Sequence, residues 1–123
     1  MTINEAIAQV DRMRENTVSP DVKIGWLSRV DHYVFEEIIK GREGSEGKTF
    51  ADYTEADANT TLLVPPPYDE LYLYKMEAQI FYEQREIKKY TSSMALYNQA
   101  MQEYAKKYAR EHRALPLPTT KYW

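Results

Sequence analysis

The stretch Tyr68–Lys89, YDELYLYKMEAQIFYEQREIKK, carries two apolar stripes, where an ordinary surface helix has one. Leu71, Tyr74, Ala78 and Phe81 fall on one side of a helical wheel. Leu73, Met76, Ile80 and Ile87 fall nearly opposite, with Glu77, Gln79, Glu83, Gln84 and Glu86 between. A helix of this kind must be covered twice. It is predicted to be the centre of a bundle or a helix shared with a neighbouring subunit. The spacing describes packing and supplies no chemistry.

The rest of the chain reads as helices around that element. Thr2 and Glu5 have the spacing of a capping box, and Ile3, Ala6, Ile7, Val10 and Met13 form one stripe, so a first helix is predicted from Ile3 to Arg14. Ser19-Pro20 opens a second, with Ser as N-cap and Pro where its missing N–H costs nothing. Its broad face is Ile24, Leu27, Val30, Val34, Phe35 and Ile38. Val22, Trp26 and Tyr33 form a minor stripe opposite, and Gly41 ends the helix. Asp31 lies inside the broad face and needs a partner if buried. Arg85 is the predicted partner, because it continues the line of the Leu71–Phe81 stripe.

Between Arg42 and Pro67 the helical period is lost. GREGSEGK is a glycine-rich acidic connector. The segments Thr49–Tyr53 and Thr60–Val64 are β-prone around a polar turn, which predicts a small β-hairpin. Pro65-Pro66-Pro67 favours extended polyproline geometry. The third helix follows, with a break expected at Tyr90–Ser93, where Thr and Ser cap better than they continue. A fourth helix from Ser92 to His112 then carries Met94, Tyr97, Met101, Tyr104 and Tyr108 as a single stripe and runs antiparallel to the third. One long kinked helix is the alternative. The fold class expected is all-α: a four-helix bundle with a long loop or β-hairpin arm between helices two and three, and an extended C-terminal tail. The domain spans 1–113 with the arm at 42–67, and the tail is 114–123.

Composition narrows the function classes. At 123 residues the chain is one domain. Its net charge of −3, with acids and bases interspersed, speaks against a general nucleic-acid binder. The clusters Lys88-Lys89 and Lys106-Lys107 with Arg110 and Arg113 read as solvated helix faces. No cysteine is present, which excludes disulfide and thiolate chemistry. No apolar run is long enough to span a membrane. The polar, acidic N-terminus does not resemble a signal peptide, so synthesis in the cytoplasm is expected. His32 and His112 lack companions at metal-ligand spacing. Asp31-His32, Glu36-Glu37 and Asp69-Glu70 are adjacent on helices and diverge. Ser92 and Ser93 have no base, and Gly41, Gly44 and Gly47 form no phosphate loop. No catalytic residue, metal ligand or cofactor site is predicted, and an enzyme is not expected.

What remains is unplaced apolar surface. Eleven tyrosines stand against three phenylalanines, and tyrosine is enriched at interfaces. Prolines and glycines bar the arm and the tail from the helical core. Yet the arm carries Phe50, Tyr53, Leu62, Leu63 and Pro65, Pro66 and Pro67, and the tail Leu115, Leu117, Tyr122 and Trp123. A large apolar side chain gains about 1.5–3 kcal/mol on burial. These residues are therefore predicted to dock on neighbouring subunits or a partner, with packing back on the chain's own helices as the alternative.

Several of these segments also resemble a known family. The LLVP-x-PYDELY lead-in to a long helix, the Ala78-Gln79-Ile80 patch and the Ser-Met-Ala…Tyr-Asn pattern at Ser93–Asn98 look like those of small head–tail connector proteins of tailed bacteriophages and prophages. The capping box, Trp26-Leu27 and the run Phe35–Ile39 also fit. The resemblance implies a structural virion protein of the neck, synthesised in the bacterial cytoplasm. It would be an α-helical adaptor forming a homo-oligomeric ring, expected as a dodecamer, between the portal protein and the tail-completion or stopper proteins. DNA would be passing cargo only, with no membrane and no cofactor. A stand-alone helical protein-binding module is the alternative.

Overall fold

The computed structural model describes residues 1–116. They form four α-helices: α1 (Ile3–Met13), α2 (Pro20–Val34), α3 (Glu70–Glu83) and α4 (Ile87–Glu111). The chain is mostly helical, and its all-α class is as expected. α1 begins at the predicted capping box: Thr2 Oγ1 accepts from the Glu5 N–H at 3.2 Å, and Glu5 returns the bond to the Thr2 N–H at 3.0 Å. Ser19 precedes α2 but its hydroxyl caps nothing; Pro20 alone marks the start. α2 then widens into a π-turn over Phe35–Ile39, closed by the Lys40 N–H on the Phe35 carbonyl at 2.8 Å. Gly41, at φ +84°, turns the chain away. The broad face of α2 is buried as read: Ile24, Leu27, Val30, Val34, Phe35 and Ile38.

α3 is the central element. It packs most extensively on α4 and also against α1 and α2. Leu71, Ala78 and Phe81 are buried on one side and Leu73, Met76 and Ile80 on the other, so the doubly apolar helix is covered twice within one chain. Tyr74 is half-buried, its hydroxyl donating to Glu70. Two ion pairs tie α1 in place. Arg14 Nε meets Glu77 Oε2 of α3 at 2.9 Å, and the buried Lys23 Nζ of α2 meets Asp11 Oδ1 at 2.6 Å. The stripe of α4 faces inward, with Met101 and Tyr104 buried and Met94, Tyr97 and Tyr108 half-buried.

The helix boundary after α3 differs from the expectation. α3 stops at Glu83, and Arg85 adopts φ +61° in a tight reversal. The predicted break at Tyr90–Ser93 lies inside α4. There Thr91 and Ser92 donate their hydroxyls back to the carbonyls of Ile87 and Lys88, at 3.0 and 3.1 Å, which lets these residues continue a helix they could have capped. Ile87, read as part of the inner face of α3, starts α4 instead and is exposed.

The β-hairpin is also corrected. Among the described residues there is no strand; the arm holds one 3₁₀ turn at Glu55–Asp57 and lies over the start of α1. Thr61 makes an isolated bridge to Thr2. The N–H groups of Ile3 and Asn4, which have no partner inside their own helix, donate to the carbonyls of Thr60 and Ala58, both at 3.0 Å. The segment thus caps a helix where a second strand was expected. The prolines form no extended polyproline run: the Tyr68 N–H closes a turn on the Pro65 carbonyl at 3.0 Å.

Candidate functional site

Asp31 organises the middle of the molecule. Burial of α2's broad face carries its carboxylate into the core, where the residue has no solvent exposure. The cost of burying it is offset by donors. Tyr72 and Tyr53 both donate their hydroxyls to it, and the backbone N–H of Leu63 donates at 3.0 Å. The Tyr72 oxygen in turn accepts from the Val64 N–H at 2.8 Å. One carboxylate on α2 therefore holds α3 through Tyr72, and the arm at two points, Tyr53 near its middle and Leu63 near its end. No buried side-chain polar atom among the described residues lacks a partner.

Arg85 is not the partner of Asp31. It sits at the α3–α4 reversal, while the satisfying groups are neutral hydroxyls and a backbone N–H. The electrostatics follow. Burial pushes the Asp31 carboxyl above its ordinary range, opposed by the hydrogen bonds from Tyr53, Tyr72 and Leu63. Burial and the neighbouring carboxylate hold the Tyr53 and Tyr72 hydroxyls firmly protonated, as donors.

The predicted interface residues divide. Leu62 is buried in the chain's own core, and Leu63 and Tyr53 pack partly against it. Phe50 is half-buried within an aromatic group, stacked on Phe35 with ring centroids 6.3 Å apart and edge-on to Tyr53 at 5.3 Å. Pro65, Pro66 and Pro67 are exposed. Leu115 is half-buried, its N–H donating to the Gly41 carbonyl at 2.8 Å, so the tail begins pinned beside the end of α2. Leu117, Tyr122 and Trp123 lie outside the described residues.

Other apolar surface is open near the α3–α4 reversal and along α4. Tyr82 and Ile87 flank the α3–α4 reversal at 59% and 56% exposure, and Leu96 lies further along α4. The sequence pattern placed Ile87 in a stripe of the third helix, whereas it opens α4 two residues after the reversal at Arg85. Among the described residues, no group of three or more His, Asp or Glu side chains converges as metal ligands. None of their helices is long and apolar enough to cross a membrane. Comparison with protein-family models, with characterised protein sequences and with solved structures gives no match.

Proposed function

We propose that the chain is a structural virion protein, a head–tail connector that forms a ring between the portal protein and the tail-completion proteins. The observation that carries the reading is the segment from Leu62 to Tyr72, LLVPPPYDELY, which looks like the connector proteins' lead-in to their long helix. Its Leu63 and Val64 N–H groups and its Tyr72 hydroxyl all belong to the Asp31 network, so the resembling residues have a framework role. The exposed Pro65–Pro67 turn, Tyr82 and Ile87 supply surface for neighbours. In this reading the ring is homo-oligomeric and expected as a dodecamer, its place is the neck of the virion, DNA passes through as cargo, and the chain catalyses nothing.

The test is co-expression with a portal protein from the same genome, followed by affinity capture and electron microscopy. The reading expects a ring of this chain stacked on the portal ring. Portal rings recovered bare, with this chain left in the unbound fraction, would overturn it. A stand-alone protein-binding module is the second reading, favoured by a groove between α2, α3 and α4.

A further inference from the structure

The groove between α2, α3 and α4 has a volume of about 580 Å³. Its chemistry is uneven. Trp26 and Tyr33, the minor stripe of α2, line it together with Tyr97 of α4. Lys75 and Gln79, one turn apart on α3, are half-buried and line the groove from that helix. Arg29 of α2 stands at the edge, exposed. Neither cation is in an ion pair among the described residues. The Lys75 ammonium rests over the Tyr97 ring at 5.2 Å, and its hydrogen-bonding neighbour is the Met94 sulfur at 3.9 Å. A half-buried ammonium with a thioether and a ring for company, and a guanidinium close by, is a site of unbalanced positive charge. Burial first, and then the Arg29 charge, lower the pKa of Lys75, and an anion between the two would relieve both effects.

We propose that this groove docks a segment of a partner protein in which a single carboxylate side chain neighbours an aromatic one, Arg29 and Lys75 receiving the carboxylate and Trp26, Tyr33 and Tyr97 the ring. Charge complementarity selects this occupant. One carboxylate, with two oxygens to accept, can bridge the two cations and cancel one of their two charges. A polyanion such as single-stranded nucleic acid would also favour aromatic walls, but Glu36 and Glu37 line the hollow that adjoins Arg29 and Tyr33, and the chain as a whole carries −3. A longer run of phosphates would meet those acids. The inference stands apart from the connector reading, since it concerns one face of the folded monomer.

The experiment is a titration of the isotopically labelled full chain with the blocked peptide acetyl-Leu-Glu-Trp-amide and its twin acetyl-Leu-Gln-Trp-amide, read by NMR. The carboxylate peptide is expected to move the Trp26 indole and the Gln79 and Tyr97 signals and to bind about tenfold more tightly than the twin, the scale of a hydrogen bond to a charged group. Arg29→Gln, at an exposed position, should remove most of that preference with the melting temperature unchanged, and Lys75→Met should remove the rest. Equal binding of the two peptides, shifts confined to another face, or an oligothymidylate binding more tightly than the carboxylate peptide would each overturn the proposal.

Discussion

Asp31 and Tyr72 decide the interior at the scale of single residues. The sequence showed that Asp31 sits in an apolar arc and must find a partner. It could not show which, because the answer depends on how an irregular arm returns to α2. Tyr72 was missed for a related reason: it lies between the stripes of α3, and its value is its hydroxyl, which no hydrophobic pattern registers. Tyr72→Phe keeps the ring but strips a donor from the buried carboxylate and leaves the Val64 N–H without its acceptor. A loss of about 2–4 kcal/mol in urea titration is expected, the range for leaving one or two buried polar groups unsatisfied. The raised Asp31 carboxyl gives a pH signature. The native state holds the proton more tightly than the unfolded chain, so this residue's contribution to stability falls as pH rises. Relative to Asp31→Asn, the natural chain should gain stability as pH drops through Asp31's native pKa, the gain being complete below the unfolded value of 3.8. Paired denaturation curves across that window check the sign.

At the scale of elements, period and capping signals placed all four helices, the twofold coverage of α3 and the capping box. They misplaced one junction. Thr and Ser weigh toward a helix end on average, yet here they bond back to carbonyls within α4, and the real reversal occurs at Arg85, a residue with no preference for positive φ. The left-handed conformation costs a side-chain-bearing residue about 1–2 kcal/mol. Arg85→Gly should therefore raise stability by about 0.5–1 kcal/mol after the larger backbone entropy of glycine is offset, measurable as a shift in the denaturation midpoint. Phe81, buried on α3 beneath the Arg14 guanidinium 5.2 Å from its ring, should cost about 3–5 kcal/mol when cut to alanine; a loss under about 1 kcal/mol would show that it does not belong to the core. The hairpin failed for a physical reason as well. The β-prone segments and the turn between them carry groups wanted elsewhere: Tyr53 and Leu63 serve Asp31, and the carbonyls of Ala58 and Thr60 serve first-turn amides of α1 that have no partner in their own helix.

For the whole molecule, the Asp31 network and the core that closes around it cover both apolar sides of α3 within one chain. The arm, read as apolar surface awaiting a neighbour, places Leu62 and Val64 in that core. The surface left for partners is the Pro65–Pro67 turn, the Tyr82–Ile87 corner and the Arg29–Lys75 groove. The sequence named the first of these, while the other two depend on a backbone reversal and on three helices meeting. The proposed connector role requires that this chain fold alone and assemble on a portal. Light scattering on size-exclusion eluates tests it most directly, with the chain run by itself and then with an excess of the chain added to portal rings. The expected result is a stable monomer alone and, in the mixture, a complex whose mass exceeds the portal ring by a full ring of this chain. A mixture that elutes as unchanged portal and unchanged monomer would contradict it.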